Sequence, residues 1–527
     1  MDDRYERFSI ADPLYYDEPS RAESPGDWYP TATAALPDGW VRSYRSPWTV
    51  LLPPHGMVAD QGWKIHVSTT PDGTAQVIET VVGYCQQAGI PVKFLRSRQS
   101  VTMMNSKYAN RRSSGKTLTL YPPDEAALKA ALDELSIRLE GAVGAYVLSD
   151  LRWREGPLHV RYGSFIQRWC TNEKGERVLA RRGADGVLVP DVRDTFFTPP
   201  PDVELPGFLA DQIARNTASE ADHHLPFQVE KALHFSNGGG IYLATDERDG
   251  RRVVLREARP HAGLDATGAD AVTRLHRERA VLRELDDLDF VPRLYEYRQV
   301  WEHHYLVEEY IEGEQLEAEF SRRCPLTKPA PDPQSLAEYT GWALDVVAQL
   351  EVILGRLHER GMVFGDLHPN NVLIRPDGRV ALVDFELAFR CGNEHGPALG
   401  AFGFTSPAAR RGTAVDDFAL AAIRLYLFLP QNLLLPLDSS MADRVADLLP
   451  QLYPVSADFG RTAAAALHRA AGGRLPAGNT QAAGGPQTPP WPTAGAGTAP
   501  PGSRPWTHSP PESWQRPPRP DGPALPG

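Results

Sequence analysis

The chain has 527 residues and a formal net charge of −12, with 42% hydrophobic and 23% charged residues. That length is too great for one hydrophobic core, so two or three domains are expected, and the acidic balance argues against general binding to nucleic acid or anionic membranes. The four cysteines, Cys85, Cys170, Cys324 and Cys391, are widely spaced without a CxxC pair, which argues against a zinc knuckle or a disulfide framework.

The N-terminus, Met-Asp-Asp-Arg-Tyr-Glu-Arg, is charged and lacks the apolar segment of a signal peptide. No uncharged apolar run reaches membrane-spanning length; 418–436 comes nearest and is broken by Arg424 and Gln431. A cytoplasmic location is expected, with no membrane or nucleic-acid partner. Residues 1–60 combine aromatics, proline and acids, including Trp28, Trp40 and Trp48, and read as an irregular, packed extension.

Residues 62–165 read as an α/β unit. Trp63 to Val67 alternates like a strand, and 75–88 is helical with Ala75, Ile78, Val81, Val82 and Cys85 on one face. Val92 to Leu95 and Thr117 to Tyr121 are further strands, 124–140 is an amphipathic helix opening at Asp124, and His159 to Tyr162 is a fourth strand. Asp-Gly, Val-Pro and Thr-Pro-Pro-Pro within 183–206 mark a linker.

From about 226 the pattern changes. Ala232 to Phe235 and Ile241 to Thr245 form a hairpin around a Gly-rich turn, and Val253 to Leu255 is a third strand. A helix covers 270–286, two strands flank His303-His304 between Val300 and Glu309, and a long helix covers 335–360, ending at Gly361. Strands first and helices after give the order of a two-lobed kinase. The last stretch, 476–527, holds 15 Pro in 52 positions, too many for a packed core, and reads as disordered. The expected division is 1–205, 206–475 and 476–527, in an α+β chain.

The chemistry is densest at 363–386. Asp366 lies five residues before Asn371, the D-x-x-x-x-N spacing of a kinase catalytic loop, and Asp384 follows apolar Leu382-Val383. Asp366 would orient a substrate hydroxyl; Asn371 and Asp384 would hold Mg2+ beside ATP. Gly238, Gly239 and Gly240 would let backbone amides approach the phosphates. Arg256 stands where such strands carry Lys, with Glu278 as its helical partner; a guanidinium is not equivalent to an ammonium, which leaves room for a weakened kinase. Gly365 stands where Arg would read a phosphorylated activation loop, and Glu386 where the metal motif ends in Gly. Asp417 would brace the catalytic loop from a later helix.

A second cluster is cationic. Lys64 and His66 share one strand face; Lys93 lies on the next strand, Lys107, Arg111, Arg112 and Lys116 follow, and Arg161 ends the unit. Such a set suits a phosphate monoester with an abstractable Cα proton: cations bind the dianion, one Lys removes the proton and His protonates the leaving phosphate. A basic docking surface is the alternative.

Trp63-Lys64-Ile65-His66-Val67-Ser68, Ser114-Gly115-Lys116, Arg161-Tyr162-Gly163-Ser164-Phe165, Glu257-Ala258-Arg259-Pro260 and Gly365-Asp366-Leu367-His368-Pro369-Asn370-Asn371 together resemble class III and class IV lanthipeptide synthetases, over roughly residues 20–430. The resemblance implies a phosphothreonine-lyase-like domain, a Ser/Thr kinase-like domain and a C-terminal cyclase. It implies that the kinase phosphorylates Ser and Thr in a ribosomal precursor peptide, leader and core, and that the lyase eliminates phosphate to dehydroalanine and dehydrobutyrine. It makes Lys93 the general base and His66 the general acid, with Lys64, Lys107, Arg111, Lys116 and Arg161 toward the phosphate. No cysteine follows residue 400, so no zinc-dependent cyclase is expected here: either a separate cyclase acts as a partner, or the sequence is a truncated form or gene remnant of a longer synthetase. The competing readings are an inactive module that docks a precursor peptide or cyclase, and a small-molecule kinase of the aminoglycoside type.

Overall fold

The alternating stretch around Lys64 and His66 becomes a central strand of a seven-stranded sheet. The computed structural model describes residues 23–470 apart from 58, 195, 221–223, 328–330, 393–399, 406–410 and 439. The Pro-rich stretch 476–527, expected to be disordered, lies outside the described residues.

The N-terminal domain begins with strands β1 (Val41–Arg45), β2 (Trp48–Leu52) and β3 (Gln61–Val67), then helix α1 (Thr74–Ala88), β4 (Val92–Leu95), α2 (Arg98–Met104), β5 (Leu118–Leu120), α3 (Glu125–Arg138), β6 (Leu151–Arg152) and β7 (Leu158–Ser164). Val77, Ile78, Val81, Val82 and Cys85 recur at helical spacing and are buried in α1, which Gly89 ends at φ 68°. Asp124 caps α3 by accepting from Ala127 N at 2.8 Å. Both helices lie on the apolar face of the sheet, where Ile65, Val67, Phe94, Leu118 and Leu120 meet Ile78, Val82, Leu128 and Leu132.

The sheet order is β1-β2-β4-β5-β3-β7-β6, and every neighbouring pair is antiparallel. This corrects the α/β reading. β3, α1 and β4 do form a crossover, but β5 slots between the two strands and runs against both, so the domain is α+β. The extension before residue 60 is also more regular than expected, because the β1–β2 hairpin forms the sheet edge beside β4.

The expected linker is structural as well. β8 (Trp169–Thr171), β9 (Arg177–Arg182) and β10 (Leu188–Pro190) form a small antiparallel sheet. Phe197, Val203 and Leu205 pack on the N-terminal core, as do Phe208, Leu209 and Ile213 of helix α4 (Gly207–Glu220).

The second domain opens with β11 (Phe227–Ser236), β12 (Gly239–Asp246), β13 (Arg252–Ala258), helix α5 (Ala271–Glu284), β14 (Leu294–Val300) and β15 (His303–Glu309). These strands form one antiparallel sheet, ordered β11-β12-β13-β15-β14. The β14–β15 turn falls at Trp301 and Glu302, so His303-His304 begins the return strand instead of dividing two strands. A mainly helical lobe follows: β16 (Glu314–Gln315), α6 (Leu316–Arg323), α7 (Pro333–Glu359), β17 (Met362–Val363), β18 (Val372–Ile374), β19 (Val380–Leu382), β20 (Phe389–Arg390), α8 (Ala414–Tyr426), α9 (Met441–Leu452) and α10 (Ala457–Ala470). Its core is built on Leu350, Leu354 and Leu357 of α7 against Phe364, Leu382, Phe385 and Phe418. Among the described residues no helix is long and apolar enough to cross a membrane.

Candidate active sites

On the sheet face away from α1 and α3, strand register lines up polar residues. Lys93 of β4 is opposite Thr119 of β5, Thr119 opposite His66 of β3, and His66 opposite His159 of β7. Directly opposed residues share a face. Strands ~4.8 Å apart put the Lys93 and His66 backbones about 10 Å from each other, a gap a phosphorylated side chain can bridge. Two residues along β3, Lys64 is opposite Arg161.

Residues from outside the sheet complete this site. His66 Nδ1 donates to Asp150 Oδ2. Ser149 Oγ donates to Asp150 Oδ1 at 2.7 Å, and Lys116 Nζ donates to Ser149 Oγ at 3.0 Å while lying 3.5 Å from Asp150 Oδ1. Arg161 donates to both Asp191 oxygens and, at 2.9 Å, to the Val192 carbonyl. Arg193 lies 3.5 Å from Asp191 Oδ2, and its buried Nε has no partner among the described residues.

Burial and mutual repulsion govern the charges. Burial, followed by Arg193 and Lys116, brings Lys93 down to about 8. Burial likewise brings Lys116 to about 8 against the pull of Asp150. Lys64 falls well below the ordinary lysine value, through burial and then Arg161. Burial lowers His66 to about 3 although Asp150 opposes it. Burial would raise Asp150, but Lys116 and His66 outweigh it and hold the carboxyl well below its usual range. Lys93 has a ring contact, 4.5 Å from the Trp48 centroid, and no hydrogen-bond acceptor among the described residues.

The second site lies between the lobes, in a cavity of about 1180 Å³ lined by Gly238, Gly239, Gly240, Arg256, Glu278, Asp366, Asn371 and Asp384. Asn371 Nδ2 donates to the Asp366 carbonyl at 3.0 Å and to Asp366 Oδ2 at 3.1 Å. Asp366 Oδ1 is buried without a partner among the described residues. Asp384, two residues past the end of β19, has φ 70°, a left-handed backbone uncommon outside glycine.

Arg256 Nε donates to Glu308 Oε2 at 3.1 Å and lies 3.5 Å from Glu278 Oε1, while Nη1 donates to Asp384 Oδ1 at 3.2 Å. Burial alone would lower Arg256, yet Asp384, Glu278 and Glu308 hold it well above its ordinary value. Burial raises Glu278, whose Oε1 also accepts from Phe385 N at 2.9 Å.

Four placements differ from expectation. Lys107 Nζ donates to Glu386 Oε1 inside the interlobe cavity, away from the N-terminal cluster. Arg111 likewise stacks on Phe235 of β11, its guanidinium 4.8 Å from the ring centroid. Lys107 and Lys116 belong to one loop that reaches both sites, so closeness in sequence put them together wrongly. The brace on the catalytic loop is Asp416, not Asp417: it accepts from Phe364 N and Gly365 N, both at 2.9 Å, and pairs with His358 Nε2 at 2.9 Å. The Gly-rich turn, finally, is tightly packed. A Cβ on Gly238 would meet Ala271 Cβ at 2.7 Å, and one on Gly239 would meet the Glu257 carbonyl oxygen at 1.9 Å.

Gly365 has a similar cause. With φ 83°, a Cβ there would sit 2.5 Å from the Leu387 carbonyl oxygen, so no arginine fits this backbone. Sequence reasoning missed Asp150, Ser149, Asp191 and Arg193. All four lie on irregular segments, where no periodicity points to them.

Residues 29–219 match the family described as RamC, N-terminal domain, and residues 227–448 match the protein kinase domain. A "Probable SapB synthase" of Streptomyces coelicolor is 46% identical over 459 residues, covering 86% of this chain and 49% of that protein. The chain thus spans about half the length of this relative. Over shorter segments, the serine/threonine-protein kinase AGC1-5 of Arabidopsis thaliana is 31% identical, covering 31% of this chain and 26% of its own, and PknA of Nostoc sp. is 28% identical, covering 30% and 27%.

Proposed function

As the chain joins a RamC N-terminal domain to a protein kinase domain, the arrangement of the class III and IV lanthipeptide synthetases it resembles, we propose that it dehydrates a ribosomal precursor peptide in two steps. The second domain phosphorylates Ser and Thr side chains from ATP. The first eliminates the phosphate to leave dehydroalanine or dehydrobutyrine. The observation that carries this reading is the register row Lys93–Thr119–His66, flanked by Lys64, Arg161 and Arg193, in the same chain as the Asp366–Asn371–Asp384 cleft.

In the cleft, Asp366 orients the incoming hydroxyl and takes up its proton, its unpartnered Oδ1 being free for that contact. Among the described residues no group of three or more His, Cys, Asp or Glu side chains suits a metal ion. Asn371 and Asp384 are the residues that would hold Mg2+ beside the nucleotide phosphates, whose charge the ion would neutralise.

In the N-terminal site, Arg161, Arg193 and Lys64 receive the phosphate dianion. The neutral fraction of Lys93, which its pKa of about 8 makes far larger than for an ordinary lysine, takes the Cα proton; the freed electron pair forms the Cα=Cβ bond and the Cβ–O bond breaks. His66 hands a proton from Nε2 to the departing phosphate, since Nδ1 is engaged with Asp150. An empty site holds His66 neutral, and an arriving dianion raises its pKa, so the acid forms when substrate is present. The test is mass spectrometry of a precursor peptide with ATP, Mg2+ and the Lys93→Ala variant: phosphopeptide should accumulate, and dehydrated peptide would refute the lyase role.

A second reading has one specific support. Arg256 is held by three carboxylates, including Asp384, an arrangement that engages both the strand cation and a metal-binding carboxylate and so favours peptide binding without turnover. Peptide affinity with no ATP-dependent mass change would select it.

A further inference from the structure

The kinase cleft contains an ammonium group that the kinase domain does not supply. Lys107 follows α2 of the N-terminal domain, yet its Nζ reaches Glu386 between the lobes, and both side chains are largely buried. Backbone and amide hydrogen bonds hold the backbone of this loop. Lys107 N donates to Leu264 O at 3.1 Å, Leu264 N to Asn105 O at 2.8 Å, Asn237 N to Lys107 O at 3.0 Å and Asn237 Nδ2 to Ser106 O at 3.0 Å. Asn237 belongs to the Gly-rich turn, so this loop is joined to the element that faces the phosphates in a kinase.

Two further contacts bear on its role. Arg256, at the strand position for the phosphate-pairing cation, is committed to Glu278, Glu308 and Asp384. Glu386, for its part, already has a second cation, Arg274 Nε at 3.2 Å. Lys107 is therefore not needed merely to neutralise Glu386, and a flexible four-carbon stem lets an ammonium exchange one oxyanion for another.

We propose that Lys107 is a nucleotide-phosphate-binding residue of the kinase cleft, contributed by the N-terminal domain, which swings from Glu386 to a phosphate oxygen when the triphosphate enters. The two domains then share one phosphotransfer site, and removing Lys107 weakens phosphorylation as well as any later step. This rests on the kinase reading above.

Lys107→Met alone would leave Glu386 as an excess anion beside the phosphates, so the decisive variant is Lys107→Met with Glu386→Gln. Calorimetric titration of the full chain with Mg·ATP and, separately, with adenosine reads phosphate and base contacts apart. The double variant should lose roughly tenfold or more in ATP affinity while binding adenosine as the unaltered chain does. If the double variant binds ATP as tightly as the unaltered chain, Lys107 is only a structural counter-ion and the proposal is overturned. It is equally overturned if adenosine affinity falls in parallel. If the unaltered chain binds no ATP, the kinase reading itself fails.

Discussion

Asp150 accepts a hydrogen bond from Nδ1 of His66, and both side chains are buried on the polar face of the seven-stranded sheet. The carboxylate fixes the imidazole tautomer, leaves Nε2 for proton transfer and stabilises the imidazolium that a bound phosphate would favour. Asp150→Asn should therefore slow elimination from a preformed phosphopeptide by ~10²-fold or more and leave phosphorylation of the unmodified peptide intact. Single-turnover kinetics on each substrate checks this.

Lys93 should trade stability for function. Its folded-state pKa, about 8, lies below the ordinary 10.5, so between those values the unfolded chain binds the extra proton. Stability rises with pH across that window, and the penalty is greatest below it. Lys93→Met should stabilise the protein at pH 7 by an amount on the order of 1–3 kcal/mol, a gain that vanishes above about 10.5. Denaturant unfolding at the two pH values measures it.

Acid should weaken the N-terminal domain through two histidines. His66 and His159 are both lowered to about 3 from 6.5, chiefly by burial. His159 Nδ1 donates to the Pro157 carbonyl at 3.1 Å and Nε2 accepts from Val147 N at 3.3 Å, so the neutral ring is fully used. Both folded pKa values are depressed, so this stability is present above about 6.5 and is lost as pH falls toward 3. Replacing His159 by Gln should flatten that acid limb in a series of thermal melts.

The grouping of Asp366, Asn371 and Asp384 in one cleft, and of Lys64 and His66 on one strand, was legible because the evidence was local. The Asp366–Asn371 spacing identifies a catalytic loop wherever it folds, and the Lys64–His66 pair shares a face by strand geometry alone. Asp150, Asp191 and Arg193 were not legible, because loops carry no period and tertiary packing alone brings them to the sheet. Lys107 shows the same limit in reverse. It lies close in sequence to Lys116, but the loop between them passes from one domain's site to the other's. The antiparallel sheet was missed because alternating strands and helices look parallel until β5 is seen between β3 and β4.

Asp416 anchors the catalytic loop of the kinase cleft. Its carboxylate is fully buried and serves Phe364 N, Gly365 N and His358. Asp416→Ala strands two buried amides and should cost about 3 kcal/mol or more, abolishing phosphorylation while a preformed phosphopeptide is still eliminated at a temperature where the chain stays folded. Asp417→Ala should change stability much less. Urea unfolding of the two variants distinguishes the neighbours.

The most direct measurement follows peptide mass over time with ATP, Mg2+ and precursor peptide, for the unaltered chain, Asp366→Asn and Lys93→Ala. Two sequential sites predict a product lighter by one water per modified residue from the unaltered chain, no change from Asp366→Asn, and stable phosphopeptide from Lys93→Ala. Dehydrated peptide from Lys93→Ala, or from Asp366→Asn supplied with unphosphorylated substrate, would contradict that division of labour.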